Sequence, residues 1–212
     1  MRFQWLADNA GLLWELSVQH AQLSWLPIVA ALLISLPIGW AAARHAALRG
    51  ILLGVSGVLY AIPSLALFVV LPLIVGTSVL SPANVVVALS LYGIALQVRS
   101  TADAFAGIDR APVSAAVALG YPAWKRVAMV ELPLAGPVIL AGLRVVSAST
   151  ISLVSVGALI GVRSLGTLFT DGFQRSFPTE IIAGVVLTVL VAVVFDVVLV
   201  LVGKVLMPWE GR

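Results

Sequence analysis

Cysteine is absent from the 212 residues, and histidine occurs only at His20 and His45. The first absence excludes disulfides and thiolate metal sites, and two distant histidines do not make a metal cage. Charge is scarce as well: Asp, Glu, Lys and Arg make up 10% of the chain against 61% hydrophobic residues, and mean hydropathy is +1.14. So little polar surface cannot cover a soluble globule, so the chain is an integral membrane protein. A Gly-rich phosphate loop ending in Gly-Lys-Ser/Thr is missing, which argues against an ATP site of the usual kind on this chain. No Ser/His/Asp set is visible, and both histidines fall outside the apolar runs, so no buried general base and no catalytic residue is expected. A formal charge of +3 is scattered between apolar runs rather than gathered on one face, which argues against nucleic acid as a partner.

What is present is a series of apolar stretches of membrane-spanning length, about 20 residues each. Residues 21–43 carry no charge and end at Arg44, His45 and Arg49. Residues 50–98 are again uncharged, too long for one span and suited to two, with the turn-forming Thr77–Asn84 as the break. A fourth span is expected over 132–162, interrupted by Arg144, and a fifth over 181–203, containing Asp196. Residues 1–20 have Asp8 and Glu15 and no continuous apolar core, so they are expected to be a retained amphipathic lead-in outside the membrane rather than a cleaved leader. The expected organisation is therefore a segment 1–20, a helical transmembrane domain 21–207, and a tail 208–212.

Five spans put the termini on opposite sides. One set of loops holds Arg44, Arg49, Arg99, Arg110, Lys125, Arg126, Lys204 and Arg212, and the other only Arg2, Arg163 and Arg175. The positive-inside bias then makes the first set and the C-terminus cytoplasmic and the N-terminus external. Trp5, Trp14 and Trp25 toward the outer end, and Trp209 past the inner end, fit interfacial belts.

Between the third and fourth spans, about 100–133, the sequence turns amphipathic. SAAVALG, Ser114–Gly120, is a run of helix formers stopped by a glycine suited to a left-handed cap; Pro122 suits the first turn of a second short helix, expected over 123–132 and ended by Pro133. Helix, tight turn and helix can be an interfacial connector. The same segment can equally be a docking element, with Ala115, Ala116 and Gly120 permitting close approach and Leu119 and Tyr121 as anchors.

Those residues resemble a known signature. The membrane subunits of bacterial ATP-binding-cassette importers carry Glu-Ala-Ala, three residues, Gly, nine residues, an aliphatic, one residue and Leu-Pro. Here Ala115-Ala116, Gly120, Val130 and Leu132-Pro133 fall at that spacing, with Ser114 in the place of Glu and expected to cap a helix start. AIPSLALFVVLPLI (61–74), LYGIALQVRSTADAFAGID (91–109), ELPLAGPVILAGLRV (131–145) and GALIGVRSLGTLFTDGF (157–173) are similar to the permeases for glycine betaine, choline and carnitine. A glycine-richer GAGGLG is usual in that branch where this chain has Gly161 to Gly166, with Arg163-Ser164 in the middle. The resemblance implies an all-α type I importer transmembrane domain, two permease subunits that are identical or homologous, two cytoplasmic ATPases holding ATP and Mg, and an extracytoplasmic binding protein. It also implies a bacterial inner-membrane location, a cytoplasmic coupling loop, and a pathway beside Pro63 and Ser64.

Within the spans, Arg144 and Asp196 are costly charges and therefore candidates for the translocation path; snorkelling for Arg144 and helix pairing for Asp196 are the plainer roles. Pro63-Ser64 is expected to kink the second span and free a carbonyl, for packing or for the pathway. Ser147, Ser149, Ser152 and Ser155 suit close helix packing. Aromatic residues are not clustered in the spans, so an aromatic cage for a quaternary ammonium is not expected there and selection is assigned to the receptor. The expected function is import of a quaternary ammonium osmoprotectant, with an amino acid or other small solute as the alternative. A self-sufficient secondary transporter is less consistent with a chain that shows no inverted repeat.

Overall fold

The computed structural model describes residues 3–78 and 80–209; Arg2 and Arg212, invoked for topology, and residues 210–212 of the expected tail lie outside them. Every regular element among the described residues is helical. A short α1 (Phe3–Asp8) leads into α2 (Ala10–Arg44), followed by α3 (Ala46–Ala61), α4 (Ser64–Val75) and α5 (Pro82–Ala106). The hairpin helices α6 (Arg110–Ala118) and α7 (Ala123–Arg126) come next. A π turn (Val127–Glu131) joins α7 to α8 (Leu132–Val154), and a 3-10 turn, α9 (Gly166–Gln174) and α10 (Pro178–Leu206) complete the chain.

Among the described residues, four helices are long and apolar enough to cross a bilayer: Ala10–Arg44, Pro82–Ala106, Ala123–Ile160 and Pro178–Leu206. The first contains the expected span 21–43 but starts eleven residues earlier, because nothing between Ala10 and Ala21 breaks the helix. His20, taken from the sequence as lying outside the apolar runs, is consequently buried in α2, with Nε2 2.9 Å from the Ile151 carbonyl on α8. That contact requires a proton on Nε2, so the ring serves as a helix-to-helix tie.

The expected second span is a broken helix. α3 and α4 meet at 102°, and at a rise of about 1.5 Å per residue neither 16 nor 12 residues crosses a 30 Å core alone. Ile62 is extended before Pro63, as the residue preceding a proline favours, and its carbonyl accepts the Tyr92 hydroxyl of α5. Tyr60 packs edge-on against Tyr92, ring centroids 6.0 Å apart. A backbone group released at membrane depth is thus satisfied from a neighbouring helix.

The centre of the fold is α5, packed on α2, α3 and α8. Lipid tails are as apolar as leucine, so close backbone approach rather than water exclusion holds such helices together. Gly39 of α2 illustrates it: a Cβ there sits 2.6 Å from Cβ of Thr101 on α5, a distance no side chain tolerates. Gln97 of α5 donates to the Ile139 carbonyl of α8 at 2.9 Å. By contrast α10 lies at the edge, and none of its most apolar stretch is buried within the chain.

Candidate functional site: the hairpin and its anchor

Asp109 starts α6, its carboxylate accepting from the Ala111 amide at 3.1 Å. Ser114 therefore lies mid-helix and exposed, and the expectation that it caps a helix start is corrected: a carboxylate five residues earlier takes that role. α6 ends in a Schellman turn, with Gly120 at φ 76°, the Gly120 amide on the Val117 carbonyl (2.9 Å) and the Tyr121 amide on the Ala116 carbonyl (3.0 Å). Pro122 (φ −64°, ψ 156°) is extended and flanks α7 as its N-cap, one position outside the first turn expected for it.

Pro133 does not end the second arm. The Leu132 amide reaches back five residues to the Val127 carbonyl, forming a wide π turn ahead of the proline. A proline ring ordinarily clashes with the carbonyl four residues before it, and the widened turn makes room while the missing N–H breaks no further bond. α7, the π turn, α8 and the 3-10 turn (Ser155–Ile160) follow one another without a break as one helical run, Ala123–Ile160. No flexible link separates the hairpin from the membrane.

Ala116 is buried, while Ala115 and Gly120 are exposed at the tip. Leu119 is 75% and Trp124 73% exposed, and Val117 and Met129 are also bare, an apolar patch at a tight turn. Tyr121 is half-buried, with the Lys125 ammonium 4.5 Å above its ring. Leu132 is at the margin of exposure and Pro133 is half-buried, both at the neck of the hairpin. Trp124 was not singled out from the sequence, although a tryptophan beside two cations in a polar segment is a visible signal.

Beneath the patch sits a charge node that the sequence does not reveal. Glu131 is 4% exposed and its carboxylate takes Arg44 Nη2 on both oxygens (2.7 and 2.6 Å), Arg126 Nε at 3.0 Å and Trp40 Nε1 at 3.2 Å. Arg44 in turn lies 4.3 Å over the Trp40 ring. A buried carboxylate held by two guanidiniums is compensated, whereas one left with a missing partner is costly. The node ties the second arm of the hairpin to the last turn of α2, and Arg49 pairs with Asp103 beside it.

Arg144 and Asp196 find each other. Nε and Nη2 of Arg144 donate to the two carboxylate oxygens at 2.6 and 2.8 Å, joining α8 to α10, and both side chains remain a little under half exposed. Pro63 and Ser64 sit at the α3–α4 bend, packed on α5. At the opposite end of the bundle from the hairpin, Arg163 pairs with Glu15 (3.3 Å) and Arg175 holds the buried Glu180 at 2.6 Å. In the loop that departs from the glycine-rich pattern, Ser164 is buried, and its hydroxyl accepts the Gly166 amide at 3.1 Å.

The described residues form a bundle of apolar helices of membrane-spanning length with an exposed hairpin at one end. Residues 35–210 match the family described as binding-protein-dependent transport system inner membrane component, and the chain belongs to that family. It is 35% identical over 196 residues to the osmoprotectant import permease protein OsmW of Salmonella typhimurium, covering 91% of this chain and 90% of the relative. To the glycine betaine/carnitine/choline transport system permease protein OpuCD of Bacillus subtilis it is 31% identical over 207 residues, 97% and 89% of the two chains. Among solved structures, the inward-facing MetNI methionine ABC transporter matches with a TM-score of 0.80 at 20% identity, over 94% of this chain and 98% of that one. An amino acid ABC transporter solved with histidines gives 0.77 at 16% identity, over 96% and 98%. The chain is thus a permease subunit of an ABC importer, with the type I transmembrane fold, and a transport component by family.

Proposed function

We propose that this chain carries a small quaternary ammonium solute of the glycine betaine, choline or carnitine type across the inner membrane, driven by a separate cytoplasmic ATPase that holds ATP and Mg. The relatives' transported solutes support the class of cargo. The observation that carries the mechanism is the hairpin: bare Leu119 and Trp124 on a Schellman turn whose second arm runs unbroken into α8 and is clamped to α2 through Glu131. An ATPase seated on that patch has a stiff lever into two spans. A second permease subunit, identical or homologous, covers the exposed flank, and an extracytoplasmic binding protein delivers solute to the end bearing Arg163 and Arg175. Residues 100–133 are then the coupling loop, and the hairpin end is cytoplasmic.

Two measurements test this. With Leu119→Asp, a carboxylate enters the ATPase contact unpaired at a cost of several kcal/mol, so the variant inserts normally but loses co-purifying ATPase and ATP-driven uptake. Normal uptake at normal ATPase stoichiometry makes the hairpin a mere connector and sinks the proposal. For orientation, an impermeant thiol reagent on intact cells labels Ser176→Cys and spares Ser114→Cys; labelling at 114 reverses the topology.

A further inference from the structure

Arg144 lies thirteen residues beyond the charged node at Glu131 and Asp196 ten residues before the end of α10, so each is roughly 15–20 Å from the charged hairpin end at about 1.5 Å per residue. Against a hydrocarbon core about 30 Å thick, both ends of the count place the pair near mid-depth. Yet the side chains are 45% and 43% exposed, on the flank of α10 that the chain leaves bare. Intramembrane charges of this kind face a water-filled space or a protein partner rather than lipid. Beside the pair, an open-sided cavity of about 490 Å³ runs from Arg144 to Lys204, past Pro137, Ala141 and Val200, toward the hairpin end. Arg144 lines that space and uses Nε and Nη2 on Asp196, with Nη1 in no hydrogen bond to a described residue.

We infer that Arg144 and Asp196 form a transit site for a zwitterionic solute, the pair opening so that Arg144 takes the solute's carboxylate and Asp196 its quaternary ammonium. This rests on the function proposed above. A closed ion pair and a zwitterion carry the same two charges, so exchanging one for the other leaves no charge unmatched at membrane depth. Because the pair is satisfied without solute, such a site binds weakly, which suits passage rather than selection. Lys204 lies at the cavity's far end and draws the carboxylate toward the cytoplasm.

The test uses the permease with its ATPase and binding protein, reconstituted in vesicles of phosphatidylglycerol and cardiolipin, which carry no cationic headgroup to occupy the site. Uptake of labelled glycine betaine is compared for the unmodified complex and the double variant Arg144→Met/Asp196→Leu. Replacing a merely structural ion pair by apolar residues is commonly neutral or stabilising. The inference predicts instead at least about a tenfold loss of uptake, the scale of one lost charge-assisted hydrogen bond, with unchanged ATPase content and thermal stability. A second arm reads Arg144→Gln with glycine betaine and with choline, which lacks the carboxylate; the loss is larger for glycine betaine. Undiminished uptake in the double variant, or equal losses for both solutes in Arg144→Gln, overturns the transit site while leaving the importer reading intact. Absence of ATP-driven uptake by the unmodified complex overturns that reading itself.

Discussion

Glu131 and Asp196 are both carboxylates gripped by arginine, and they differ in what surrounds them. Glu131 is almost completely buried, has three donors from α2 and the hairpin arm, and sits at the hairpin's neck. Asp196 has one partner, lies within the apolar run of α10, and is nearly half bare. The first arrangement over-determines its carboxylate and holds separate elements in one geometry. The second leaves a pair that a single competing charge can reopen. Similar chemistry thus makes a rigid joint in one place and an exchangeable contact in the other.

The largest effect expected from breaking this comparison is that of Glu131→Ala. It leaves Arg126 and Arg44 without their shared carboxylate, and because both guanidiniums keep partial access to solvent the loss falls below that of a fully buried pair, about 1–3 kcal/mol. Thermal unfolding of the purified chain in detergent reads it as a clear drop in Tm, whereas the double apolar variant at Arg144 and Asp196 leaves Tm unchanged. Equal drops erase the distinction between the two sites. Next comes Gly120→Val. At φ 76° an L-residue costs about 1–2 kcal/mol in the left-handed region, more when β-branched, so ATPase retention falls while membrane insertion does not. Co-purification quantified against the unmodified chain checks it. Smallest is Ser114→Glu, which restores the residue usual in the resembled signature: Ser114 is exposed and mid-helix, so stability moves by less than about 0.5 kcal/mol. Only ATPase affinity is free to respond, and titration of the ATPase onto the reconstituted permease measures it.

Local rules made some of this legible in advance. Gly120 and Pro122 announce the hairpin's turn because backbone preference there is decided within a few residues, and the positive φ at Gly120 follows. Charge-free runs locate the long helices for the same reason. The α3–α4 bend was visible as Pro63 but not as a 102° fold, since its angle depends on Tyr92 thirty residues on. Pro133 misled because a proline normally stops a helix, and the π turn that absorbs it has no sequence signature. Glu131 and Arg44 are 87 residues apart, and no periodicity links them. Arg144 and Asp196 each stood out as charges in apolar runs, but their pairing across α8 and α10 is a fact of tertiary packing.

If Glu131 clamps the hairpin to the end of α2, the two move as one body. The chain's lack of cysteine allows a clean test by pulsed electron paramagnetic resonance, with spin labels at Leu33→Cys on α2 and Ala123→Cys on the second hairpin arm, both exposed positions. In the assembled complex the distance distribution is predicted to stay narrow and unmoved between nucleotide-free and ATP-bound states, and to broaden once Glu131→Ala is added. A distance that shifts with ATP in the unmodified protein, or one that stays narrow in Glu131→Ala, contradicts the claim.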